Sequence, residues 1–257
     1  MIDTHAHLSK RFCDIKKGRG WKKLKAVVLA ASNLEDAKEN IKLVKKNRGL
    51  YAGVGIHPQK TDPENKIGVK EQLDLLEELV KKNQEMIVAI GETGLDYSPA
   101  PEEEEDRNKE DQEKLFRGQV EIAVKYNLPL IIHARKAVDE VIEILSDYKK
   151  ARGVFHCYAG GKKRIKKVMS LGNNWFFGID GNLTYEVGME EVVAKIPQNK
   201  LVLETDCPFL TPVPHRGEKN KPEYVEFVYK KMAEIWQRDF EETERIIDKN
   251  ARRLFAF

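Results

Sequence analysis

The chain has 257 residues, 41% of them hydrophobic, with 45 Lys and Arg against 42 Asp and Glu for a net charge of +3. That length suits one domain over residues 1–257, near the ~250 residues of a (β/α)8 barrel, and it can bury a full core. Such balance excludes a polyanion binder acting through bulk charge, and three cysteines without framework spacing argue against a secreted disulfide scaffold.

The first apolar run, Ile2–His7, ends in a His-x-His pair, His5 and His7. Residues two apart on a strand share a side, so both imidazoles can face one cation. Further runs follow at Ala26–Ser32, Leu50–His57, Met86–Glu92, Leu128–His133, Gly153–His156, Trp175–Ile179 and Leu201–Asp206. Most lack polar alternation, as expected for parallel strands covered on both sides. Between them lie amphipathic stretches that read as helices: Asn33–Asn47, Val69–Lys82, Asp111–Tyr126 and Ala137–Tyr148, with Pro222–Gln237 and Glu241–Leu254 closing the chain. Eight strands alternating with helices predict an α/β fold of the TIM-like (β/α)8 barrel type. An open doubly wound sheet is the runner-up, weakened because no Gly-x-Gly-x-x-Gly opens a helix. Pro99–Asp106 reads as an acidic surface loop. No run is long enough to cross a bilayer and no leader pattern opens the chain, so a soluble cytoplasmic protein without an obligate protein partner is expected.

Five of the six histidines close a predicted strand: His5, His7, His57, His133 and His156. Two acids join them, Glu92 and Asp206. A barrel gathers the C-terminal ends of its strands at one face, so these residues are expected to converge there. One alone reads as a hydrogen-bonded core residue or a helix cap. Together they call for cations, because burying them otherwise leaves carboxylates and imidazoles without partners. His5, His7, Glu92, His133, His156 and Asp206 are too many ligands for one ion with an open position. They fit two divalent ions ~3.5–4 Å apart, bridged by Glu92. Imidazole-rich ligation favours Zn, Mn, Fe or Ni over Mg, which stays a further candidate. Cys157 and Cys207 each follow a ligand in sequence and are expected to pack away from it.

The ordered motifs resemble the TatD family of metal-dependent hydrolases, within the amidohydrolase-like barrels. They are Asp3-Thr4-His5-Ala6-His7, Gly55-Ile56-His57-Pro58, Gly91-Glu92-Thr93-Gly94-Leu95-Asp96-Tyr97, Ile132-His133-Ala134-Arg135, Phe155-His156-Cys157-Tyr158 and Glu204-Thr205-Asp206-Cys207-Pro208-Phe209-Leu210. They continue with Arg216-Gly217-Glu218-Lys219-Asn220-Lys221-Pro222 and Asn250-Ala251-Arg252-Arg253-Leu254-Phe255. The resemblance implies a TIM-like barrel, the six strand-end residues as metal ligands, and nuclease activity removing DNA nucleotides from the 3′ end. Two places depart from the family pattern: the short segment after His7 and the acidic loop at Ser98–Asp106.

On this reading Asp206 accepts a proton from water, Glu92 bridges the ions, and His57 binds phosphate or protonates the leaving oxygen. Arg135 clamps phosphoryl oxygens, while Glu204 faces a water or orients a ligand histidine. Two basic segments, residues 10–25 and Lys162, Lys163, Arg164, Lys166 and Lys167, are expected to flank the groove and guide the DNA backbone. The plain alternative for such runs is a solvated face. Tyr97, Tyr158 and Phe209 are candidates for base stacking. A second enzymatic reading is an amidohydrolase-like enzyme acting on an amide, lactone or small phosphoester, since the same charge polarises a carbonyl.

Overall fold

A computed structural model describes residues 1–8, 19–60, 67–100 and 108–257, with the backbone alone at 19–20. Eight strands form one parallel sheet in chain order: β1 (Ile2–Ala6), β2 (Ala26–Leu29), β3 (Leu50–Val54), β4 (Ile87–Asp96), β5 (Leu130–Arg135), β6 (Gly153–Phe155), β7 (Trp175–Ile179) and β8 (Leu201–Leu203). The ends of β1 and β8 meet through a parallel bridge between Ala6 and Cys207. His7 N–H donates to the Cys207 carbonyl (2.8 Å) and Asp206 N–H to the His5 carbonyl (2.9 Å). The expected TIM-like barrel is present.

Helices α1 (Leu34–Lys46), α2 (Val69–Lys82), α3 (Lys109–Lys125), α4 (Val138–Ser146), α5 (Gly161–Ser170) and α6 (Met189–Val193) lie between the strands, and α7 (Val225–Trp236) and α8 (Phe240–Phe255) follow β8. Asn33 caps α1 by accepting from the backbone N–H groups of Glu35 and Asp36, and Asn108 does the same for α3. No described helix is long and apolar enough to cross a membrane.

The barrel interior is a plug of strand side chains, among them Ile2, Val28, Ala89, Ile131, Val154, Phe176 and Val202, closed at the N-terminal end by Leu254 and Phe255 of α8. A second, larger core fills the space between strands and helices. Inward-pointing residues recur every second position, so Ile131 predicts His133, Val154 predicts His156, and Val202 predicts Glu204 and Asp206 on the inner side. On β1 and β4 strict alternation would turn His5 and Glu92 outward. Register shifts between Asp3 and Ala6, and between Ile90 and Thr93, break that alternation.

Five of the paired strands end earlier than the apolar runs, β7 ends with its run, and β4 and β5 end later. At Gly94 (φ 143°) an added Cβ would sit 1.9 Å from the His133 carbonyl oxygen, so only glycine lets β4 and β5 approach there. That approach carries the β4–β5 pairing on to Asp96 and Arg135.

Candidate metal centre

Two backbone clamps and one buried carboxylate set the positions of the strand ends. Asp3, fully buried, accepts from Thr205 Oγ1 (2.7 Å), Thr205 N–H (3.0 Å) and His5 N–H (3.2 Å). It thereby ties the end of β1 to the segment carrying Asp206. Gln119 of α3 accepts from Ile56 N–H (2.8 Å) and donates to the Ile56 carbonyl (2.9 Å), fixing the chain at His57. Gln112, two turns earlier, clamps Asp96 in the same way (2.9 and 3.0 Å). Asn220 donates to the carbonyls of Thr205 (2.8 Å) and Phe209 (2.6 Å) and pins the loop after β8.

The side chains converge in two groups joined by Glu92. In the first, His5 Nε2 lies 3.4 Å and His7 Nε2 3.5 Å from Asp206 Oδ1, and 3.7 and 3.6 Å from Glu92 Oε2. The two imidazole nitrogens face each other at 3.2 Å. These spacings exceed good hydrogen bonds. His5, His7 and Asp206 form one candidate metal cluster, with spacings close to the ~3.4 Å edge of a tetrahedron of ~2.1 Å bonds. In the second group, Glu92 Oε1 lies 2.8 Å from His133 Nδ1 and 2.7 Å from His156 Nε2, which are 3.4 Å apart. Each carboxylate oxygen of Glu92 thus serves a different set of nitrogens. Nδ1 of His5 and of His156 are buried without a hydrogen-bond partner. The first group fits a divalent cation because its spacings are too long for good hydrogen bonds; in the second, Glu92 Oε1 stands at hydrogen-bond distance from both rings, so a cation there takes the place of the protons between them.

Neighbouring contacts fix two tautomers. Gln59 N–H donates to His57 Nδ1 (3.1 Å), so the neutral His57 ring carries its proton on Nε2, 3.6 Å from Glu92 Oε1. His133 Nε2 lies 3.1 Å from Asp96 Oδ2, which also accepts from Gln59 Nε2 (2.8 Å). A proton on His133 Nε2 leaves Nδ1 as a lone pair toward Glu92. Burial, helped by nearby His133, pulls the His57 pKa down to about 3. Burial pushes the Glu92 carboxyl up, but His156, His57 and His133 outweigh it and hold it well below the carboxylate range. For His156 burial works downward, and Glu92 and Glu204 push it well above the ordinary imidazole value. A cation entering here has to displace that proton.

The family described as TatD related DNase matches residues 2–256. The chain belongs to the TatD family. It is 34% identical to YabD of Bacillus subtilis, described as an uncharacterized metal-dependent hydrolase, over 99% of this chain and 98% of that one. It is 36% identical to a metal-dependent hydrolase of Mycoplasma genitalium, likewise described as uncharacterized, over the same shares. The crystal structure of YJJV, a TatD homolog from Escherichia coli, superposes with a TM-score of 0.85 at 26% identity, covering 100% of this chain and 98% of that one. An amidohydrolase from Saccharomyces cerevisiae shares the fold at 19% identity and a TM-score of 0.81, over 99% of each chain. The protein is a metal-dependent hydrolase of the TatD family.

Among the sequence candidates, His7, His57, Glu92, His133, His156, Asp206 and Arg135 line one cavity of about 590 Å³ at the C-terminal face, and His5 lies beneath it. Two substrate candidates do not. Glu204 is fully buried behind His156, with its Oε1 accepting from Cys157 N–H (2.6 Å) and lying 3.6 Å from His156 Nδ1. Burial beneath His156 leaves it no access to the cavity. Lys162 sits on α5 outside the cavity and pairs with Glu191, while Arg164 and Lys167 pair with Asp139. These three are surface ion pairs between neighbouring elements. In the first basic segment residues 10–18 lie outside the described residues. Lys23 pairs with Glu226, and Lys25 with Glu244 and Asp248 near the start of β1, away from the cavity.

Cys207 is buried as expected, but Cys157 lines the cavity. The chain leaves β6 at Phe155 and turns through a positive φ of 44° at Cys157, so strand alternation no longer decides its direction. Sequence reasoning gave no role to Asp96, Gln59, Asp3, Gln112 or Gln119. Asp96 and Asp3 had a signal, their places in the strand-end motifs four residues after Glu92 and two before His5.

Proposed function

We propose that this TatD-family hydrolase holds two divalent ions, Zn, Mn, Ni or Mg, and cleaves phosphodiester bonds at the 3′ ends of DNA. One ion would take His5, His7, Asp206 and Glu92; the other would take His133, His156 and the second oxygen of Glu92. Bound there, the ions would acidify water and neutralise charge growing on phosphoryl oxygens. The observation that carries this reading is the division of Glu92 between two sets of nitrogens.

Asp206 and Glu92 do the catalytic work of the chain itself. Asp206 is partly open to the cavity and has a second oxygen to accept a proton from attacking water. His57 is neutral near pH 7, with its proton on Nε2. It acts as a hydrogen-bond donor to a phosphoryl oxygen rather than as the acid for the leaving group. Arg135, exposed at the end of β5, reaches phosphate from the wall. Glu204 orients His156 from below. A cavity of about 590 Å³ admits a nucleotide and stays open to the chain beyond it. Compartment and protein partners do not enter the mechanism.

The test is a panel of 5′-labelled single-stranded DNA, abasic DNA, RNA and simple amides, lactones and esters, each with Mg, Mn and Zn. The expected result is stepwise shortening of DNA from its 3′ end. Turnover of an amide or lactone with no cleavage of any DNA overturns the reading.

A further inference from the structure

The cavity wall differs in chemistry on its two sides. In a ring of eight strands β4 stands opposite β8. Glu92 belongs to β4, and the residues beside it on the wall are Lys60, after β3, and Arg135, at the end of β5. Both are exposed cations. The opposite wall, after β8, carries Phe209 and Leu210. Of the three aromatic candidates for stacking, only Phe209 presents a ring to the cavity. Tyr158 is core, packed edge-on to Phe177 at 4.8 Å, and the Tyr97 hydroxyl donates to Glu113 (3.0 Å). Phe209 is 49% exposed, one of few large hydrophobic side chains so open among the described residues, and its ring lies 6.2 Å from that of His7. Its backbone carbonyl is held by Asn220, so the ring is presented from a fixed loop.

A nucleic-acid chain entering by its 3′ end has the same asymmetry. On the 5′ side of the scissile phosphate every nucleotide adds a negative charge. On the 3′ side the terminal nucleoside adds none, only a sugar and a base with an apolar face. Resting on the DNA reading above, we propose that Phe209 stacks on the base of the 3′-terminal nucleotide while Lys60 and Arg135 take the phosphates upstream. The wall chemistry then sets which way the strand lies across the site.

Two comparisons test this. The first measures kcat/KM on an oligonucleotide with a normal 3′ end and on one whose terminal sugar lacks its base. Phe209→Leu, which keeps apolar cover without a π face, should lower the first value roughly five- to 150-fold and leave the second unchanged. Phe209→Tyr should restore it. The second uses Lys60→Ala, which should slow cleavage of a long oligonucleotide but not of a dinucleoside monophosphate, which has no upstream phosphate. Equal loss on both members of either pair overturns the proposal while leaving the nuclease reading intact. A wild type that cleaves no oligonucleotide overturns both. Unchanged melting temperature and metal content in each variant separate these outcomes from misfolding.

Discussion

Asp96 never touches Glu92 directly, yet it governs which nitrogen of His133 is free. Its Oδ2 faces His133 Nε2, and its Oδ1 accepts from Ser98 N–H (2.9 Å), so both oxygens are engaged. It is therefore a positioning residue. Asp96→Asn can present its amide nitrogen to the ring and favour the wrong tautomer, so metal affinity or turnover should fall ~10–100-fold. Titration calorimetry with a divalent metal reads this without turnover; unchanged affinity would assign Asp96 to packing alone. Asp180 offers a second test at this scale. Its Oδ1 accepts from Asn182 N–H (2.7 Å), and burial pushes its pKa up to about 7 against the pull of the neighbouring Cys157 thiol. A raised folded pKa means the fold favours the neutral acid. The stabilisation is complete below the ordinary aspartate value near pH 4 and is lost as pH rises through 7. Asp180→Asn keeps the acceptor without the charge, so it should flatten the melting profile across that window and gain about 1–3 kcal/mol at pH 8. Parallel wild-type and variant profiles would contradict this account. Metal-site candidates were legible in sequence at this scale because strand-end histidines are rare and chemically loud. Asp96, Glu204 and Cys157 were not, since an acid or thiol near a strand end looks the same facing substrate, backbone or ring.

At the scale of elements, α3 does more than cover the sheet. Gln112 and Gln119 are seven residues apart on one face, and each closes a pair of hydrogen bonds with the backbone beyond a strand. Truncation leaves a buried donor and acceptor unpaired, so Gln112→Ala and Gln119→Ala should each cost about 1–3 kcal/mol in urea unfolding. Gln112→Ala should also lose metal affinity through Asp96. A variant as stable as the wild type would show that water replaces the clamp. Helix α5 makes the opposite case. Its lysines and arginine looked like a phosphate guide in sequence, but their carboxylate partners lie 25 to 29 residues away and only the folded chain reveals them. Neutralising Lys162, Lys163 and Arg164 together should change kcat/KM on DNA less than ~2-fold, because ion pairs exposed to water contribute little. A steep loss of activity would return the helix to the substrate path. The eight strands were readable from spaced apolar runs. Their ends were not, because apolarity continues after pairing stops, and on β4 pairing continues past the apolar run.

For the whole molecule, the barrel explains how residues from positions 5 to 206 form one site, and why alternation alone nearly suffices to aim them. β5, β6 and β8 deliver His133, His156 and Asp206 on the period of the interior plug, while β1 and β4 require a shift of register to deliver His5 and Glu92. Bridging by a residue that needed such a shift is the feature on which the two-ion account stands. The decisive measurement is metal per chain, by elemental analysis after dialysis against a fixed free concentration of Mn or Zn, for the wild type and Glu92→Gln. The account predicts two ions in the wild type and one or none in the variant, with the melting temperature of the metal-free forms unchanged. One ion in the wild type, or two in both proteins, would contradict it.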